Sequence, residues 1–168
     1  CDAVLFTHYH GDHIGLIQSI PEKDVDGNVI RLGIGKVARQ VLINIHKTLS
    51  GFGEEGNTHK KYLDLLQNDD RQIDIEDGVA ITVGDIRITP ILVDHSAYDA
   101  YMFIIEAAGR TIVHTGDFRT HGRLGKKFFE LSIEAQQFLV LHEFGHTHVG
   151  CSESPRTRIW KTIKGSIS

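Results

Sequence analysis

Four side chains able to bind a metal fall within six residues of one another: His8, His10, Asp12 and His13. They follow an apolar run, Ala3-Val4-Leu5-Phe6, and a threonine, Thr7. Neutral imidazoles and a carboxylate on a short turn suit a borderline cation such as zinc, which takes nitrogen and oxygen donors. A histidine-rich loop that needed only solvation would have no use for a buried strand before it. The spacing therefore predicts a metal site rather than a merely polar turn.

Two further polar residues stand at the ends of apolar runs. His95 follows Ile91-Leu92-Val93-Asp94, and Asp117 follows Ile112-Val113-His114-Thr115-Gly116. Each repeats the first arrangement, in which an apolar strand delivers a binding side chain to one rim of a sheet. Convergence of the three strand ends would gather His8, His10, Asp12, His13, His95 and Asp117. Six donors exceed what one tetrahedral ion takes, so two adjacent divalent cations are the natural count. A carboxylate between them can bridge, and a water shared by two cations loses a proton near neutral pH. Asp12 is the candidate to orient that hydroxide and handle protons. Thr7, Asp94, Ser96 and Thr115 stand where they can orient ligand imidazoles. Gly11 is expected to permit a tight turn between ligands, and Gly116 a close approach of the chain to the site.

The elements that must position these groups are legible as periodicities. Asp2 to Thr7 reads as a buried strand, and Asp12 to Ile20 as a short helix ended by Pro21. Turn chemistry at Asp24 to Asn28 leads into a strand over Val29 to Gly33. Val37, Val41, Leu42, Ile45 and Leu49 recur at helical spacing, which predicts a helix over Lys36 to Ser50. Ser50 to Asn57 reads as a loop and His59 to Gln67 as a second helix. His46 and His59 are expected to be solvated. From Ile73 the period changes to two. Val79, Ile81 and Val83 alternate, Gly84-Asp85 turns, and Ile86 to Ile91 returns as a hairpin partner. A second hairpin joins Tyr101 to Glu106 with Thr111 to Thr115, with Tyr101 in the core and Tyr98 a candidate to line a cleft. Lys126 to Gln137 reads as helical and Phe138 to Leu141 as a further strand.

The 168 residues suffice for one domain that buries roughly 70% of its unfolded surface. A net charge of -4 offers no global basic field for nucleic acid. Cys1 and Cys151 are too few for a disulfide framework, which agrees with a reducing, cytoplasmic compartment. No apolar run approaches the ~20 residues of a membrane span. The chain lacks an initiator Met and starts just before a core strand, so a piece of a longer protein is expected. The mixture of strands and helices points to a layered α/β fold with mixed sheets.

The run from Thr7 to His13 resembles the H-x-H-x-D-H signature of the metallo-β-lactamase-fold hydrolases. Val93 to Tyr98, together with Thr115-Gly116-Asp117-Phe118-Arg119, resembles more narrowly the ribonuclease J-like branch, in which a His-Ser pair precedes a hairpin ending in Thr-Gly-Asp-Phe. The resemblance covers about residues 2–125. It implies that His8, His10 and His95 hold one metal, that Asp12 and His13 hold a second, and that Asp117 bridges. It also implies an αββα sandwich of two similar halves. Strands before the first motif, a late histidine ligand and the inserted clamping domain of the nucleases have no counterpart in the sequence. The expectation is one partial domain over 1–168, with residues 126–168 divergent, lacking the N-terminal strands and much of the second half.

The tail carries a competing motif. His142-Glu143-Phe144-Gly145-His146 matches H-E-x-x-H, which on a helix places two imidazoles on one face beside a glutamate base. The longer form of that motif continues with a glycine and a third histidine, where this chain has Val149 and Ser152. A strand at Phe138 to Leu141 with a polar exit loop is the simpler reading. The leading expectation is thus a two-metal hydrolase, with zinc or manganese, whose metal-bound hydroxide attacks phosphorus or a carbonyl carbon; the resemblance implies phosphodiesters such as RNA ends rather than β-lactams. A zinc peptidase through His142, Glu143 and His146 is the runner-up enzyme class, and a metal-binding fragment without turnover is the third reading.

Overall fold

A computed structural model describes residues 1–51, 56–125 and 139–141. These residues form two sheets. The first is parallel, in the order β1 (Ala3–Leu5), β2 (Arg31–Gly35), β3 (Gln72–Ile75). The second runs β4 (Ile81–Val83), β5 (Ile86–Val93), β6 (Ala100–Ala107), β7 (Arg110–His114), β8 (Leu139–Leu141). Its first four strands are antiparallel neighbours and β8 joins β7 in parallel, so the sheet is mixed. The expected strand before His142 therefore exists, and Leu141 lies level with His114. The helix expected over Lys126 to Gln137 and the motif at His142, Glu143 and His146 lie outside the described residues.

Period-two alternation decides what each strand face meets. In the first sheet Val4, Phe6, Leu32 and Ile34 pack with the helices, while Ala3, Leu5, Ile73 and Ile75 face the second sheet. In β6 the same alternation sends Tyr101, Phe103 and Ile105 to the space between the sheets and Ala100, Met102 and Ile104 to the outer cluster with Ile91, Val93 and Val113. Gly33 faces the inter-sheet space, and a Cβ there would run into the Leu5 side chain. The two hairpins turn at Gly84 (φ 56°) and at Ala108-Gly109 (φ 50° and 71°), the left-handed backbone that two-residue hairpin loops need.

Three helices complete the described part: α1 (Gly11–Ile14), α2 (Lys36–Leu49) and α3 (Gly56–Leu66). The helix predicted over Asp12 to Ile20 is broken. One α-turn buries Ile14, Gly15 ends it, and a separate 3-10 turn at Ile17–Ser19 buries Ile17. Glycine is a poor propagator, so this break costs little. The predicted strand at Val29 to Gly33 shifts to Arg31–Gly35, because Val29 is taken by a bridge to Lys23 across the Asp24 turn. Asp24 Oδ1 accepts the N–H groups of Asp26 and Asn28 in that turn, both at 2.9 Å.

The long helix is where predicted, but its inward face is different. Ala38, Leu42, Ile43 and His46 are buried, whereas Val37, Ile45 and Leu49 are exposed. His46 is thus a core residue rather than a solvated one. Its Nδ1 lies 2.9 Å from His59 Nδ1 on α3, and its ring stacks on Tyr62 at 4.1 Å. Arg71 is also buried, with Nε donating to Ile30 O at 3.0 Å and Nη2 to Pro21 O at 2.9 Å. Carbonyl partners make burial of that cation tolerable.

Candidate metal centre

The histidine-rich turn leaves the first sheet directly after β1. Phe6 N–H still donates to Gly33 O at 2.8 Å, so the backbone is in register with β2 up to the residue before Thr7. His8 follows, fully buried, and His10 forms the N-cap of α1. His95 arrives from the second sheet, two residues past β5, and Asp117 three residues past β7. Gly116 (φ 53°) makes the last approach possible, since a Cβ there would sit 2.8 Å from Thr7 Cγ2. Gly11, by contrast, has open space where a Cβ would stand and is not among the positive-φ residues. The turn between ligands does not depend on glycine at that position.

The three strand ends bring two groups of donors together. His8, His10 and His95 offer ligand atoms within 4.8 Å of one another, as do His8, His13 and Asp117. His8 Nε2 lies 3.0 Å from His10 Nδ1, which lies 3.2 Å from His95 Nε2. A tetrahedral ion with zinc–nitrogen bonds of about 2.0–2.1 Å holds its ligands roughly 3.3 Å apart, so these nitrogens already stand near coordination spacing. Asp117 Oδ2 is 3.7 Å from both His13 Nε2 and His95 Nε2. It lies between the two groups, where one carboxylate can serve both. Asp12 is at the rim, its side chain 70% exposed and its Oδ2 3.7 Å from His13 Nε2.

Electrostatics favour the ligand form of His8 and His95. Burial, joined by the neighbouring His13, His95 and His10 and only partly opposed by Asp12, lowers the His8 pKa to about 3. Burial likewise lowers His95, against the pull of Asp117, with His10, Arg119 and His13 adding to the lowering. Both rings are neutral near pH 7 and present lone pairs, as a metal requires. Thr7 Oγ1 is 3.0 Å from His8 Nδ1, placed to accept Nδ1–H and leave the Nε2 lone pair for an ion. The donor set of imidazole nitrogens and carboxylate oxygen fits a divalent ion of the zinc type.

The other residues singled out in the sequence take varied places. Asp94 lies beside His95, but its Oδ2 accepts the Leu124 N–H and its carbonyl the Arg119 N–H at 2.6 Å, so it ties down the segment after Asp117. Thr115 is fully buried with its hydroxyl donating to Gly116 O at 3.1 Å, and Ser96 is exposed. His114 stacks on Phe103 with ring centroids 6.4 Å apart. Tyr101 is in the core, as expected, and Tyr98 is 69% exposed. Sequence reasoning missed Asp99, which bonds to α2 from a distance of more than sixty residues and left no local signal.

A profile described as Beta-lactamase superfamily domain matches residues 1–133. The chain is 32% identical over 122 residues to "Endoribonuclease YSH1" of Mycosarcoma maydis, a match covering 70% of this chain and 14% of that protein. A crystal structure of a protein of unknown function from Enterococcus faecalis V583 superposes with TM-score 0.59 at 21% identity, over 91% of this chain and 34% of that one. The metallo-beta-lactamase fold protein YhfI from Bacillus subtilis matches with TM-score 0.44 at 22% identity, over 68% of this chain and 39% of that one. The chain thus spans only a small part of its curated relative and about a third of that first structure. With the profile matching well over half its length, the chain belongs to the beta-lactamase superfamily domain family.

Proposed function

We propose that this chain carries the metal centre of a hydrolase that cleaves phosphodiesters, RNA foremost, and belongs to the ribonuclease J-like branch. The observation that carries the reading is the pair of donor groups sharing His8, with Asp117 equidistant from a histidine of each. His8, His10 and His95 would hold one ion, and His13 with Asp117, and Asp12 from the rim, would serve the other. When bound, two divalent ions, zinc or alternatively manganese, supply Lewis-acid polarisation of a phosphoryl oxygen and acidify water toward neutral pH. The neutral, buried His8 anchors the centre from within, while the exposed carboxylate of Asp12 stays accessible to take up a proton at the rim. Thr7 holds the His8 ring in the tautomer that binding requires. Support for RNA over other esters comes from the printed name of the 32%-identical relative, an endoribonuclease, and from the motifs around His95 and Asp117.

The test is hydrolysis of end-labelled RNA and of a small phosphodiester by the zinc- or manganese-loaded protein, compared with Asp12→Ala. Turnover that falls at least a hundredfold in the variant is expected, the scale on which a lost proton-transfer group acts. Undiminished turnover in Asp12→Ala would remove that residue's role. Cleavage of neither substrate by metal-loaded protein would overturn the phosphodiester reading.

A further inference from the structure

We propose that Asp99 is a positioning residue for the metal centre: from the His95 loop it caps the N-terminus of α2, and so fixes His95 against His8 and His10. The inference rests on reading those three histidines as ligands. His8 and His10 lie on the turn that follows β1 of the first sheet and His95 in the loop 94–99 between β5 and β6 of the second, so the ligand set is only as well ordered as the connection between the sheets.

Asp99 makes that connection with its whole carboxylate. Oδ2 accepts Val37 N–H at 2.9 Å and Ala38 N–H at 3.0 Å, and Oδ1 accepts the Tyr101 hydroxyl at 2.6 Å. The N-cap position of α2 is Gly35, which has no side chain to satisfy the orphan N–H groups of the first turn. A Cβ at Gly35 would collide with Asp99 Oδ2, so the carboxylate occupies the space a capping side chain would use. Its negative charge also meets the positive end of a 14-residue helix.

The backbone shows what this contact is for. Asp99 has φ 65°, a left-handed conformation that non-glycine residues adopt at a cost and that persists where surroundings over-determine it. Two flanking ties act in the same direction. Tyr98 N–H meets Tyr9 Oη at 3.3 Å, and Tyr101 N–H donates to Thr7 O at 2.9 Å, one residue before His8. With Ala97 and Ala100 buried on either side, the segment that bears His95 is strapped to the segment that bears His8 and His10.

Three variants separate positioning from bulk stability. Asp99→Gly removes the carboxylate while relieving the left-handed strain; Asp99→Asn keeps an oxygen acceptor and tolerates the same backbone; Ile88→Ala weakens the inter-sheet core at the far end of β5. Cobalt(II) titration followed by visible absorption reads ligand geometry, and amide hydrogen exchange on metal-free protein reads the order of residues 95–100. Asp99→Gly is expected to lose about ten- to a hundredfold in cobalt affinity, to shift the absorption bands, and to exchange faster at 95–100. Asp99→Asn is expected to recover most of the affinity, and Ile88→Ala to keep both affinity and bands despite a lower melting temperature. Parental affinity, bands and exchange in Asp99→Gly would overturn the proposal, as would an equal loss in Ile88→Ala. Absence of cobalt binding by the parent would overturn the metal reading instead, while the exchange comparison would still decide whether Asp99 orders the loop.

Discussion

Among the described residues histidines cluster in two places, and the two clusters are built differently. At the strand ends His8, His10, His13 and His95 converge with Asp117 in two donor groups that share His8. Between α2 and α3, His46 and His59 meet Nδ1 to Nδ1 at 2.9 Å and His46 lies flat against Tyr62. In the first cluster a carboxylate completes the set and His8 keeps its ring neutral by burial. In the second, one proton between the two facing nitrogens satisfies the pair, and stacking takes up the remaining ring surface. Burial lowers the pKa of His46 as it does those of His8 and His95, with His59 adding to it. A lowered pKa therefore does not distinguish a ligand from a packed ring; the number and convergence of donors does.

The sharpest way to break this contrast is to truncate the histidine at the heart of each cluster. His8→Ala removes a donor from both groups and is expected to abolish metal uptake and turnover together, read by elemental analysis and RNA cleavage. His46→Ala is expected to leave metal content unchanged while lowering unfolding stability by about 1–3 kcal/mol in a urea titration, the usual range for a buried, packed side chain. Loss of metal in His46→Ala would erase the difference between the clusters. A smaller effect is expected from Thr7→Val, which keeps shape but removes the partner of His8 Nδ1. Zinc affinity should fall about tenfold by competition with a chelating dye, with little change in fold.

Acid should act on both clusters in the same direction in the metal-free protein. Folding holds His8, His46 and His95 neutral with pKa values below the ordinary 6.5, so below that pH the unfolded chain binds more protons than the folded one. Stability is expected to be full above about pH 6.5 and to decline as pH falls through the window beneath it, which for His8 extends to about 3. Unfolding midpoints at pH 7.5 and 5.5 check the decline. His46→Gln should make it shallower without touching the metal centre.

The site was more legible in the sequence than its supports. His8, His10 and His13 are dense enough to be seen locally, and His95 and Asp117 each close an apolar strand, so strand-end logic finds them without knowledge of the fold. The hairpin of Tyr101 to Glu106 with Thr111 to Thr115 was likewise legible, and β6 pairs antiparallel with β7 there. What stayed hidden depends on contacts distant in the chain. The face of α2 that turns inward is set by α3 and the first sheet, and spacing alone selects Val37, Ile45 and Leu49, which are exposed. His46 reads as a polar helix residue until His59 and Tyr62 are beside it. Asp99 reads as a loop aspartate until Gly35 is found to lack a cap of its own. The break after α1 follows from Ile14 and Ile17 both needing burial across a glycine.

On the proposed reading the strand-end cluster, and not the His46–His59 pair, holds the metal. Metal content of purified protein against the double variant His10→Ala with Asp117→Ala tests it most directly. About two zinc or manganese ions per chain in the parent, and none retained in the variant, is the expected result. Retention of metal by the double variant would contradict it.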